Sequence, residues 1–274
     1  MLTVLKVRNY QSKNFFKRIF EPKAEAYMRT AEDVTYLEII CKNGKKGLPW
    51  QKIEEMLCGE ERRVLMPIGI TPPSESKIKR FVPDEYNIAL FEEMLVQTLN
   101  KIKNKGKLYI ALCTNEEQQA KRILERIINT ANIKVISLFH EKLSDLQAEI
   151  LENYGAAVPM VGSPGKDEHF NVIFAPEYLP PNIKTERNIV VFSKKANAEG
   201  IKIREITGNL PHELEEYYSN EYDKKEFAAA FYELGNSRLE SLLSPVYAIS
   251  LIKSYTPEEL AAVIDKYINI PTAE

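Results

Sequence analysis

The sequence predicts an α/β protein: a mostly parallel sheet with a helical C-terminal part, preceded by a small α+β domain. Three observations carry that expectation. Apolar runs of strand length alternate with amphipathic helical patterns after residue 107, the signature of parallel strands covered on both faces. Residues 68–84 combine Pro72-Pro73, two serines and several charges, which marks a linker or long surface loop. The 274 residues leave room for two cores. The expected domains are 1–75 and 85–274, with the linker at about 68–84.

The N-terminal part starts with a strand at 2–8 (LTVLKVR), followed by a helix-like stretch with Phe15, Phe16, Ile19 and Phe20 on one side. Residues 34–41 (VTYLEIIC) are rich in β-branched and aromatic side chains and form a second strand. Asn43-Gly44 and Gly47 end it. Pro49 opens a short helix through Trp50, Ile53, Met56 and Leu57, which Gly59 closes. Residues 63–67 (RVLMP) read as a third strand.

Asp84 is placed to cap a helix that runs to about Asn104 with Ile88, Phe91, Leu95, Leu99 and Ile102 inward. Gly106 ends it. Then come a strand at 107–113 (KLYIALC), a capping-box pattern at Thr114-Asn-Glu-Glu117 and a helix carrying Ala120, Ile123, Leu124, Ile127 and Ile128. A strand at 133–139 leads to a second capping-box pattern, Ser144-Asp-Leu-Gln147, and a helix that stops at Gly155. Further strands are expected at 156–161, 170–175, 188–193 and 201–205.

Proline cannot donate to a ladder, so Pro159 belongs on an edge strand or bulge. In the order 3-2-1-4-5-6 the third strand is an edge, whereas in 2-1-3-4-5 it is central. Pro159 therefore favours the first, Rossmann-like order. The connections 162–169 and 176–187 lack helical patterns. Eight extended residues reach at most about 28 Å, so an antiparallel hairpin of 156–161 with 170–175 is the alternative. The rest reads as helices at 211–220, 223–234 and 238–243, and one opened by Thr256-Pro-Glu-Glu259.

Composition excludes several classes. Hydrophobic residues make up 44% and charged residues 28%, so the chain is not wholly disordered. No run approaches 18 apolar residues, and no long apolar leader is present, so no membrane association is expected. Three cysteines without a CxxC pair (Cys41, Cys58, Cys113) suit free thiols and a cytoplasmic location. Residues 1–80 hold 16 Lys/Arg and 10 Asp/Glu, a net of +6, whereas residues 81–274 hold 21 and 29, a net of −8. The basic N-terminal domain is thus a candidate surface for a protein partner. Its charge is modest and its basic clusters are interrupted, so nucleic acid is not the expected partner.

No motif names a reaction. The turn after the first parallel strand reads Cys113-Thr-Asn-Glu-Glu-Gln118 and has no glycine for a pyrophosphate. Glu116 and Glu117 occupy the helix N-terminus that would hold one. There is no P-loop, HExxH or GxSxG elbow. No cofactor and no metal are expected. What remains is positional: in open α/β sheets ligands bind beyond the carboxyl ends of the strands. Thr114, Asn115, His140, Glu141 and Ser163 occupy those ends and offer hydroxyl, amide, imidazole and carboxylate groups to a small polar ligand. The competing reading has these residues only capping helices and completing turns.

Overall fold

The computed structural model describes residues 1–8, 23–43, 47–57, 63–166, 168–184, 189–194, 200–235, 243, 246–250 and 253–269. Along the chain its strands are β1 (Thr3–Arg8), β2 (Ala24–Ala31), β3 (Val34–Lys42), β4 (Arg63–Val64), β5 (Lys79–Arg80), β6 (Tyr109–Cys113), β7 (Asn132–Ile136), β8 (Met160–Val161), β9 (Val172–Phe174), β10 (Val190–Phe192), β11 (Ile201–Ile203), β12 (Glu205–Gly208), β13 (Val246–Ile249) and β14 (Ser254–Tyr255). Its α-helices are α1 (Trp50–Met56), α2 (Glu85–Lys101), α3 (Glu117–Ile127), α4 (Ser144–Tyr154), α5 (His212–Glu215), α6 (Lys224–Leu234) and α7 (Pro257–Ile268). The helical patterns expected at 15–20 and 238–243 fall on or largely on residues outside those described.

Two units divide the chain: Met1–Asn87 with Asn209–Ser244, and Ile88–Gly208 with Pro245–Glu274. They do not coincide with the expected spans 1–75 and 85–274. Residues 209–244 leave the parallel-sheet part because α6 and the turn before it pack on the N-terminal sheet. Tyr222 Oη donates to Leu5 O at 2.8 Å, Phe231 meets Tyr36 edge-on, and Ile68 N donates to Glu221 O at 2.7 Å. Nor is 68–84 a linker. Ile78 and Phe81 are buried, Lys79–Arg80 pairs with Arg63–Val64, and Arg80 donates to Pro67 O and Ile70 O and pairs with Glu226 at 2.6 Å.

In the first unit β3 lies between β1, which is parallel to it, and β2, which is antiparallel. Bridge bonds from Leu5 and Leu65 add the β4 segment beside β1. Leu5, Leu37, Ile39, Cys41, Ile53, Val64 and Ile78 form the core on one side of this sheet. Glu38 is buried on β3 and is neutralised by Lys6 at 2.6 Å and Arg29 at 3.1 Å.

In the second unit six strands form one parallel sheet in the order β11-β10-β9-β6-β7-β8. β8 and β9 do not pair with each other, so the hairpin alternative is not the structure. The expected strand 156–161 is only two residues long, and Pro159 sits just before it, its carbonyl accepting from Val135 N at 2.9 Å. Ala111, Cys113, Ile136, Ile173 and Val191 share one face and one cluster with Phe170, Ala175 and Ile183, and Val161, Tyr178 and Leu179 pack against it. Among the described residues, irregular connections contribute Phe170, Ile183, Tyr178 and Leu179 to the cover of this face. Glu168 ties one of them down by pairing with Lys134 of β7 and accepting from Gly165 N. Ion pairs align the helices: α4 with α3 (Lys121–Glu149), α3 with α2 (Arg122–Glu92, Arg126–Glu93), α2 with α7 (Lys101–Glu258).

The C-terminal part is not all helix. β12, β13 and β14 form a second, antiparallel sheet, and the expected helix 211–220 shrinks to His212–Glu215. The Thr256 capping box forms with Glu259, and Pro257 opens α7. The other two expected boxes do not form. α3 starts from Glu116 without a side-chain cap, and α4 starts from Leu143. Gln147 instead donates to Val158 O at 2.8 Å.

Candidate functional site

The carboxyl edge of the six-stranded sheet is built from the turns that follow β6, β7, β8 and β9. After Cys113 the ladder runs one residue further, with Thr114 N donating to Ile136 O at 3.1 Å. Thr114 is buried, and its Oγ1 accepts from Glu116 N at 3.1 Å, a local turn that replaces the expected cap. Asn115 Oδ1 accepts from Leu138 N at 3.0 Å and so clamps the turn after β7 to the turn after β6. Ser137 Oγ accepts from Phe139 N at 3.1 Å, which stiffens the same turn.

His140 opens a 3-10 turn, His140–Leu143. Its ring packs against Gly162: a Cβ on that glycine would fall 3.0 Å from both Cε1 and Nδ1. Glycine is therefore what admits the imidazole there. His140 Nδ1 is buried and has no hydrogen-bond partner among the described residues. Glu141 and Ser163 are exposed. Of the five expected residues, then, Thr114 and Asn115 are joined through the turns after β6 and β7, and His140 is set against the turn that carries Ser163. Glu141 makes none of these contacts.

Two further residues at this edge were not expected. Gln119, in the first turn of α3, is 2% exposed, and its Nε2 has no partner among the described residues. Tyr178, in the connection after β9, packs on the face that holds Cys113, and its buried Oη is likewise without a partner. Burial first, and then the Cys113 thiol, raise the Tyr178 phenol above its ordinary value. A signal for Gln119 exists in the sequence: it stands four residues before Ile123 and eight before Ile127, on the buried stripe. Tyr178 carries no such signal, because the connection has no periodicity.

The chemistry open to this edge is narrow. Cys113 is fully buried and its thiol is pushed far up, so it is no nucleophile. Glu116 and Glu117 are exposed at the start of α3 and oppose an anion at that point. His169 and His212 are exposed and take no part in these contacts. The described residues contain no group of three or more His, Cys, Asp or Glu placed to share a metal ion. None of their helices is long and apolar enough to cross a membrane.

No family model matches the chain. No curated protein matches it either. Among solved structures the chain is similar to L-tryptophan dehydrogenase from Nostoc punctiforme, with 11% identity over 97% of this chain and 79% of that chain. The TM-score of 0.31 is too low for that likeness to carry any argument about ligand or reaction.

Proposed function

We propose that the chain binds a small polar molecule, neutral or cationic where it meets α3, over the carboxyl ends of β6, β7 and β9. The carrying observation is the set of buried, unpartnered polar atoms in the turns and first helical turn there: Gln119 Nε2, His140 Nδ1 and Tyr178 Oη. A fourth such atom, Thr98 Oγ1, lies in the last turn of α2. A buried polar group without a partner costs about 1–3 kcal/mol. A ligand that supplies the missing hydrogen bonds recovers that cost, which gives it a reason to bind at this edge. Numbered from β6, the strand order is 3-2-1-4-5-6, and the chain reverses direction across the sheet between β6 and β9. In Rossmann-like sheets ligands occupy that position, and this support is fold-level analogy.

In this reading His140, Gln119 and Tyr178 bind the ligand. Ser163 and Glu141 stand at the rim. Thr114 and Asn115 shape the floor, since the Thr114 hydroxyl and the Asn115 carbonyl oxygen already accept from the backbone. Only the Asn115 amide NH₂ is left for a ligand to use.

A thermal-shift screen of nucleosides, polyols and amines tests the reading together with two variants, Gln119→Leu and Tyr178→Phe. Ligand at about 100 times its dissociation constant adds about 2.7 kcal/mol of stability. Both variants should leave the ligand-free chain as stable as before or more so, because each removes a buried unsatisfied atom. Both should lose the ligand's stabilisation. Variants that destabilise the ligand-free chain by more than about 1 kcal/mol would show that the two atoms already have protein or water partners, and the site would fall with them.

A further inference from the structure

The outer edge of β2 points to a second copy of this chain as its partner, and we propose that two chains join antiparallel along it. β2 is the end strand of its sheet and runs eight residues, Ala24–Ala31. Lys42 N donates to Lys23 O at 3.1 Å, so Lys23 and Lys42 form a hydrogen-bonded pair in the register that sets Ala24 opposite Cys41. Alternation then turns the amides of Glu25, Tyr27, Arg29 and Ala31 towards β3. Those of Ala24, Ala26, Met28 and Thr30 point outward, and no described residue pairs with them.

Long exposed edges are a hazard that proteins commonly blunt with proline, a bulge or lysines. The segment AEAYMRTA has no proline or lysine, and its register with β3 is unbroken. Tyr27 and Met28 are 40% and 57% exposed at its centre. No described residue covers this edge, and its side chains select the partner.

Glu25, Tyr27 and Arg29 lie on one face and form an ordered row. Tyr27 Oη donates to Glu25 Oε2 at 2.6 Å, and the Arg29 guanidinium carbon lies 5.4 Å from the centre of the Tyr27 ring. Among the described residues Arg29 gives only its Nε–H, to Glu38. Set antiparallel and centred on Tyr27, the row meets its own reverse. Glu25 faces Arg29 of the second chain at both ends, and the two Tyr27 rings face each other. The outward residues then form four narrow pairs, 24 with 30 and 26 with 28, each counted twice, with two backbone hydrogen bonds apiece. The charged pairs fall at the wide positions, where opposed side chains are nearest. Sliding the register by two residues destroys this match. Centred on Ala26 it sets Arg29 against Lys23, and centred on Met28 it sets Glu25 against Ala31. Only the Tyr27-centred register is self-complementary in charge.

Sedimentation velocity on the full chain over an approximately hundredfold concentration range tests the proposal. The expected result is a monomer–dimer equilibrium. Ala26→Pro removes an outward donor and no bond to β3, a placement that edge strands tolerate. Glu25→Arg sets like charges against each other at both ends of the row. Each should weaken dimerisation at least about tenfold while circular dichroism and the thermal midpoint stay unchanged. Met28→Lys, an edge lysine, gives the same reading should proline at 26 disturb the strand. A monomer at every concentration would overturn the proposal. So would a dimer whose dissociation constant is unmoved by Glu25→Arg and by Ala26→Pro or Met28→Lys.

Discussion

Replacing Phe231 with alanine should unfold the first unit selectively. Phe231 is fully buried on α6, with its ring centroid 5.6 Å from Tyr36 of β3 and 4.7 Å from Phe227 one turn earlier. A phenylalanine buries roughly 150–250 Å², worth about 4–6 kcal/mol at about 25 cal/mol per Å² before alanine's own share is subtracted. Two ring contacts add about 0.5–1.5 kcal/mol each. Partial collapse of the cavity offsets some of this, and the measured range for such truncations is about 3–5 kcal/mol. We expect about 4 kcal/mol. The assay is built into the chain. Trp50 is its only tryptophan and packs against the core of the same unit, so its fluorescence follows that unit. With a urea dependence of about 2 kcal/mol per molar, the Trp50 midpoint should fall by about 2 M. A shift below about 0.5 M would mean that α6 does not hold the N-terminal sheet, and the assignment of 209–244 to this unit would be wrong.

Three further outcomes follow from single contacts. Thr256→Ala should cost about 1 kcal/mol, because its capping box is formed, whereas Ser144→Ala should cost under about 0.5 kcal/mol, because its box is not; equal costs by thermal unfolding would contradict the cap geometry. Glu32 holds a left-handed φ of 49° in the turn between β2 and β3, so Glu32→Gly should stabilise by about 0.4–1 kcal/mol in urea, and a loss would show that the side chain matters more than the backbone strain. The pH dependence followed by Trp50 should carry two opposite contributions. Glu233 accepts the Asp84 and Tyr86 amides at the start of α2, and burial, aided by Glu85 and Asp84, outweighs those bonds and holds its carboxyl above 4.5. The native chain then keeps that proton more tightly than the unfolded one, so this stability is full below the ordinary glutamate range and is lost as pH rises through the raised value. Burial opposes the Glu38 charge, but Lys6 and Arg29 prevail and lower its value, so its contribution is present above the ordinary range and is lost as pH falls through the lowered one. Glu233→Gln should remove only the first change and Glu38→Gln only the second; profiles that respond the other way round would reverse the assignment.

The parallel strands were legible because a strand covered on both faces reads as a continuous apolar run, as YIALC and FNVIFA do. β2 was not, since only Ala24 and Ala31 at its ends are buried and its middle offers no alternation to detect. β12 to β14 are short and lie between the helical patterns that drew attention. The stretch 68–84 misled for a physical reason. Its prolines and serines are turn formers, yet its order comes from partners far along the chain: Glu54 accepts from Ser76 Oγ and Lys77 N, and Glu226 pairs with Arg80. Local composition records none of this.

The same division between local and distant partners explains the site. Thr114 and Asn115 attracted attention because their side chains suit turns after strands, and that aptness is why their oxygens are occupied: Thr114 by Glu116 N, Asn115 by Leu138 N. A residue that a sequence marks as a good capping or turn former is one whose polar atoms the backbone can satisfy. Among the described residues, the atoms left without partners at this edge belong to His140, which its place at a strand end marks, and to Gln119 and Tyr178, which look unremarkable in the sequence. Gln119 sits on an apolar stripe, Tyr178 in an unpatterned connection, and His140 beside a glycine 22 residues away. Each is buried by packing, and packing does not supply a hydrogen bond. A ligand gains most where the protein has removed water and given nothing in return. At this edge the binding groups should therefore be the three that packing buries without partners, with the turn formers holding the loops that present them.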